Sequence, residues 1–204
     1  RNDSMVEPVM KDFNAKVNSF FSDFGKVRAD IKNNLFLKYC TSLYGSNICG
    51  LSDHNNMEKL YIQWRKTLRR ILNVPYRTHS RLLPLISKSL PPDVLLHGRF
   101  SKFFESGLKS ENLVVNDIFH LALISRSRLG NNIRFIANRY ELDLTHECAN
   151  WNTQIKDHWR INCNENDVRL SMMIVELIDQ RDSMDPWLLE GSECQDIIDH
   201  LCTS

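Results

Sequence analysis

The chain has 204 residues, 42% of them apolar, with 10 Phe, 4 Trp and a net charge of +1. That apolar share excludes a disordered tail, and no apolar run approaches the ~18 residues that a membrane span needs. With only 7 Gly and 6 Pro, long helices and few turns are expected. The chain starts at Arg1 with no signal or transit pattern, so we expect a piece of a longer cytoplasmic and nuclear protein that is not secreted and meets no membrane.

In chain order, Val6, Val9, Phe13, Val17, Phe20, Phe21 and Phe24 recur in steps of three and four, which predicts a helix over 5–24 stopped by Gly25. A second helix is predicted over 30–44, with Ile31, Leu35, Phe36, Tyr39 and Leu43 on its apolar side, followed by a loop between Gly45 and Asn56. The third, 57–72, carries Leu60, Trp64, Leu68, Ile71 and Leu72 as an apolar stripe, so Trp64 is expected in the core. Arg65, Lys66, Arg69 and Arg70 crowd its other side, and Asn73 and Pro75 end it. The loop Pro75-Tyr76-Arg77-Thr78-His79 leads to a short helix over 80–86. Pro91-Pro92-Asp93 opens the next, with Pro in the first turn and an acid at the positive end of the helix dipole. Two helices are expected over 112–129 and 131–140, around Gly130. The polar stretch 146–166 receives no assignment. Helices over 167–181, with Val168, Met172, Val175 and Ile178 as its stripe, and over 193–202 complete an all-α chain.

Charge is segregated along this sequence. Residues 59–102 hold ten Lys or Arg (Lys59, Arg65, Lys66, Arg69, Arg70, Arg77, Arg81, Lys88, Arg99 and Lys102) against the single acid Asp93, a net +9. Residues 141–204 hold four bases against fourteen acids, a net −10. A polyanion is attracted to the first segment and repelled by the second. The charge switch suggests two regions, 1–140 and 141–204.

Catalytic chemistry finds little support. Polymerase or nuclease metal sites need converging carboxylates, and the chain has no Asp-Asp pair; its late acids are spread over helix faces, as on a solvated surface. Gly-rich phosphate loops and Gly-x-Ser-x-Gly elbows are absent. No catalytic residue and no cofactor is therefore expected. The six cysteines, Cys40, Cys49, Cys148, Cys163, Cys194 and Cys202, form no dense framework and read as reduced thiols; Cys202, third from the end, does not make a prenylation box. His146, Cys148, His158 and Cys163 offer four nitrogen and sulfur donors for tetrahedral zinc, set against the commoner case of unconnected Cys and His, and no metal site is assigned. The basic helix and loop carry more. Arg65, Lys66, Arg69, Arg70 and Arg77 are suited to phosphates, Tyr76 to stacking on a base or ribose, and Thr78 and His79 to fixing register by hydrogen bonds. Lys59, Arg81 and Arg99 are secondary candidates. Against this stands a buried Tyr76 in a loop that merely caps the helix.

The stretch Leu60-Tyr61-Ile62-Gln63-Trp64-Arg65-Lys66-Thr67-Leu68-Arg69-Arg70-Ile71-Leu72-Asn73-Val74-Pro75-Tyr76-Arg77-Thr78-His79 resembles the W-R-K-x-x-R-R-x-x-x-x-P-Y-R-T-H signature found downstream of the reverse transcriptase domain in jockey-like, LINE-type (non-LTR) retrotransposon polyproteins. Leu82-Leu83-Pro84-Leu85-Ile86 and the end Ile197-Ile198-Asp199-His200-Leu201-Cys202-Thr203 are similar to further segments of that family, as is the segment from Asn18 to Tyr44. The resemblance implies a non-catalytic thumb and post-thumb region, a thumb-like helical bundle with an acidic C-terminal helical segment. Its expected partners are template RNA or an RNA–DNA hybrid and an upstream polymerase core. His158 and Cys163 match the H-x4-C end of a Cys/His motif known in some LINE proteins, whereas His146-x-Cys148 departs from that motif's first half. The rival expectation is a structural or protein-interaction domain whose basic segment docks on the acidic one.

Overall fold

A computed structural model describes residues 6–43, 50–52, 54–144, 150–183 and 193–203. Among these the regular structure is helical throughout, as expected: α1 (Val6–Phe24), α2 (Ala29–Tyr39), α3 (His54–Leu72), α4 (Leu82–Ile86), α5 (Pro92–Leu108), α6 (Leu113–Ile124), α7 (Arg128–Tyr140), α8 (Trp151–Ile161), α9 (Glu165–Ser183) and α10 (Glu193–Thr203). The chain forms two compact units, each assembled from separate stretches. One comprises residues 1–9, 44–59 and 91–162, the other residues 10–43, 60–90 and 163–204.

The second unit has an aromatic centre. Phe13 stacks on Trp64 with ring centroids 5.8 Å apart and planes within 4°, and Phe36 meets Trp64 edge-on at 5.7 Å. Trp64 is fully buried, as its place in the apolar stripe predicts. Leu68, Ile71, Leu82, Leu83, Ile174, Ile178 and Ile198 extend this core, with α9 lying against α2, α4 and α10.

Two stripes are rotated from their expected positions. The buried face of α2 and the turn after it runs through Ala29, Asn33, Phe36, Cys40 and Leu43, whereas Ile31 and Tyr39 are exposed. That helix also stops at Tyr39, short of the predicted 44. On α9 the buried positions are Ser171, Ile174, Ile178 and Arg181, and Met172 faces solvent. In both helices a polar residue takes an inward position because a partner waits there. Asn33 donates to the Ser87 carbonyl at 2.7 Å, and Arg181 meets a set of acceptors described below.

In the first unit α5 is the central helix, packed against α6, α7 and α8. Phe104 meets Phe119 edge-on at 5.1 Å and Trp151 at 6.4 Å. The stretch without a predicted assignment contains α8, held by Trp151, whose backbone N–H donates to Glu105 at 2.6 Å and whose indole N–H donates to the Asp143 carbonyl at 3.1 Å. The break between α6 and α7 falls at Ser125–Ser127, not at Gly130. Ser127 caps α7 by accepting from the Gly130 N–H at 3.1 Å, and Arg134 closes α6 by donating to the carbonyls of Leu123 (2.8 Å) and Ser125 (2.6 Å). Gly130 is required for a different reason: a Cβ there would collide with the Ala122 carbonyl.

Candidate nucleic-acid interface

The eight residues singled out by charge and motif lie on the last two turns of α3 and the turn after it, all within one compact unit. α3 stops because Asn73 adopts the left-handed conformation (φ 50°) and Pro75 cannot continue a helix. Its last carbonyls, which have no partner within the helix, receive a donor from elsewhere in the chain. The buried Arg181 guanidinium donates to the carbonyls of Leu72 at 3.1 Å and Asn73 at 3.0 Å. Its other donors go to Gln195 Oε1 at 3.0 Å and to Asp182 Oδ1 at 3.1 and 3.0 Å, so all five N–H groups are satisfied. The second oxygen of Asp182 accepts from the Ala29 N–H at 2.9 Å, at the N-terminus of α2, where Arg28 provides no side-chain cap. One Arg-Asp pair thus serves opposite ends of two helices, cation at the C-terminus and anion at the N-terminus, as the helix dipoles favour.

Beyond α3, the segment Pro75–His79 is a braced turn. Thr78 donates to the Pro75 carbonyl twice, from its backbone N–H at 3.0 Å and its hydroxyl at 2.7 Å. The His79 N–H donates to the Cys202 carbonyl of α10 at 3.2 Å. Burial pushes the Cys202 thiol above its ordinary pKa, against the opposing pull of a hydrogen bond with Thr78. Thr78 itself is 1% exposed, so its hydroxyl holds the turn and does not reach the surface.

The basic side chains divide into two groups. Arg69 is partly structural: its Nη2 donates to the Thr78 carbonyl at 2.7 Å and to Ser80 Oγ at 3.3 Å, and its guanidinium stands over the Tyr76 ring at 5.8 Å. Burial first, and Arg65 second, push the Arg69 pKa down, with Tyr76 opposing them. Arg70 is exposed but lies over the Phe21 ring at 3.8 Å, a cation–π contact. Arg65 is half-buried. Lys66, Arg77 and His79 are exposed, and Tyr76 is 75% exposed, not buried beneath a capping loop. Of the secondary candidates, Arg81 pairs with Asp167 at 3.1 Å, Arg99 is half-buried with its pKa lowered by that burial, and Lys59 is exposed in the other unit.

The bracing partners Ser80, Phe21, Arg181 and Cys202 were not legible as part of this region. Of the proposed zinc donors, His146 and Cys148 lie outside the described residues. His158 meets Tyr140 edge-on at 5.4 Å, and the Cys163 thiol is raised above its usual pKa by burial and by Asp167. No group of three or more His, Cys, Asp or Glu side chains suited to a metal occurs among the described residues. Compared with protein-family models, curated proteins and solved structures, the chain has no match in any of the three.

Proposed function

We propose that the chain is a non-catalytic, nucleic-acid-binding region of a LINE-type RNA-directed DNA polymerase, holding template RNA or an RNA–DNA hybrid beside a polymerase site supplied elsewhere. The observation that carries this reading is the outward side of the α3–turn region: Lys66, Arg77 and His79 at the surface beside an exposed Tyr76, with Arg65 and Arg69 on the same helix. Cationic donors on a rigid helix and turn suit phosphate oxygens, whose contacts hold a strand in register without reading its sequence. The motif from Trp64 to His79, with its LINE-like flanks, supports the choice of partner.

The test is fluorescence anisotropy with RNA and RNA–DNA hybrid oligonucleotides from about 50 to 300 mM salt, comparing the wild type with Lys66→Gln/Arg77→Gln. These two side chains are exposed, so the variant leaves the core intact. The expected result is a salt slope shallower by roughly 1.5 to 2 for the variant, close to one released counterion per lost phosphate contact. Equal slopes for the two proteins sink the proposal.

A second reading is favoured by one specific contact, the Arg81–Asp167 pair, together with the docking of α9 and α10 around the end of α3. Here the basic segment serves to seat the acidic one, and the region is structural. Under that reading rising salt loosens the fold, and oligonucleotides do not protect it.

A further inference from the structure

We propose that the Pro75–His79 turn is a single-strand site, in which Tyr76 stacks on one unpaired base while Arg77 and Lys66 take the flanking phosphates. This rests on the nucleic-acid reading above and narrows its ligand from any phosphate backbone to an unpaired stretch of RNA or DNA.

Three observations lead there. The first is the exposure of Tyr76. An aromatic side chain held 75% in solvent contributes little to a core, and its neighbours Arg77, His79 and Arg69 are cationic or polar, so it is not the rim of an apolar patch. The second is rigidity. The turn that carries Tyr76 is fixed by the ring of Pro75, by two hydrogen bonds from Thr78 to Pro75, by Arg69 at the Thr78 carbonyl, and by the His79 bond to α10. A platform that is already immobile loses little freedom when a base settles on it. The third is the guanidinium of Arg69, which stands over the ring and places a positive charge within reach of a strand passing Tyr76.

The geometry of nucleic acids supplies the selectivity. In a duplex each base is covered on both faces by its neighbours, so an exposed Tyr ring gains a stacking partner only at an end. An unpaired strand offers a π-face at every nucleotide, whatever the base. The site therefore favours a single strand over a duplex of equal charge, with little sequence preference.

The experiment uses the whole chain with a roughly 12-nucleotide RNA labelled at one end, presented single-stranded or as a blunt duplex; about that length spans an ordinary single-strand site. The variants are Tyr76→Ala and Tyr76→Phe. Tyr76→Ala is expected to weaken single-strand binding by roughly 5- to 100-fold, the usual cost of losing one stacked base, with the salt slope unchanged. Tyr76→Phe keeps the ring and should bind within about twofold of the wild type, and duplex affinity should fall much less on Tyr76→Ala than single-strand affinity does, since a blunt duplex offers a free base face only at its two ends. A 2-aminopurine base placed along the strand should be quenched on binding by the wild type and by Tyr76→Phe, and not by Tyr76→Ala. Equal affinities of wild type and Tyr76→Ala for the single strand, or equal losses on both forms, overturn the inference. If that occurs while Lys66→Gln/Arg77→Gln still flattens the salt slope, the phosphate surface stands and only the stacking role falls. If the wild type binds neither form, both fall together.

Discussion

Replacing Arg181 by Met keeps much of the side-chain volume on the buried face of α9 and removes all five donors. What it leaves behind sets the cost. The Leu72 carbonyl loses its guanidinium partner at the end of α3, and Asp182 loses its cation while only 15% exposed. Breaking one side of a buried pair typically costs about 3 to 5 kcal/mol, because the remaining charge is uncompensated. The lower part of that range applies here, since Asp182 keeps the Ala29 N–H and the Asn73 carbonyl can turn to water. An expected loss of about 3 kcal/mol is a large share of the roughly 5 to 15 kcal/mol by which a domain is stable. Urea unfolding followed by circular dichroism should move its midpoint down by about 1 to 1.5 M, taking a slope of roughly 2 to 3 kcal/mol per molar for a chain of this size. A double variant that also changes Asp182 to Leu should lose less than the two single losses combined, because no lone charge remains. A midpoint within about 0.3 M of the wild type, corresponding to under 1 kcal/mol, would refute the idea that this pair ties the helix ends together.

Two further outcomes follow from the other unit. His97 is 1% exposed, its Nδ1 lies 2.9 Å from the Tyr140 hydroxyl, and its Nε2 is buried without a partner. Burial pushes its pKa down to about 4, with Asp93 pulling it up and Arg139 pushing it further down. The unfolded chain therefore takes up a proton near pH 6.5 that the folded chain refuses, so stability is full above that pH and falls as the pH drops towards 4, by about 3 kcal/mol in all. His97→Gln should flatten this acid limb in melting temperatures measured from pH 7 to 4, and an unchanged limb would exclude His97 as its source. Gly130→Ala forces the new Cβ into the Ala122 carbonyl, and separating α6 from α7 should cost about 1 to 3 kcal/mol; a melting temperature equal to the wild type's would show that the crossing yields freely.

Where the sequence predicted well, packing followed apolar spacing alone. α1 buries Val9, Phe13, Val17 and Phe20, and α3 buries Leu60, Trp64, Leu68 and Ile71, as their intervals require. It failed where a polar residue had a reason to turn inward. Asn33 on α2 and Arg181 on α9 are counted as solvent-facing by any hydropathy pattern, yet both supply donors to buried carbonyls, and each rotates its helix away from the expected stripe. α8 was missed for a related reason. Trp151, Ile155 and Trp159 do recur every four residues, but they belong to a helix only three turns long, surrounded by polar residues and with Ile161 exposed at its end, so the stripe is short and easily taken for scattered apolar positions. At the candidate site the charges were legible and their division was not. Which arginines face inward depends on Thr78, Ser80 and Phe21, contacts that spacing along α3 does not encode.

That division changes what the formal charge of the basic segment means. Ten bases against one acid suggest a large electrostatic attraction for a polyanion, but several of these charges already have internal work. Arg81 faces Asp167, Arg70 covers Phe21, Arg69 ties down the Pro75–His79 turn, and Arg99 is half-buried in the other unit. The acidic segment is spent in the same way, with Asp182 placed at the start of α2 and beside Arg181. Counterion release counts only phosphates that a cation reaches at the surface. Besides Arg81, which faces Asp167, the exposed cations of the basic segment in this unit are Lys66, Arg70, Arg77 and Lys88. A site of this kind should therefore show a salt slope of roughly two to four, not the eight or nine that the net charge suggests. With so modest an electrostatic term, one stacked base is a substantial fraction of the total affinity, which is why the ring of Tyr76, and not the length of the basic run, is expected to decide which form of nucleic acid is held.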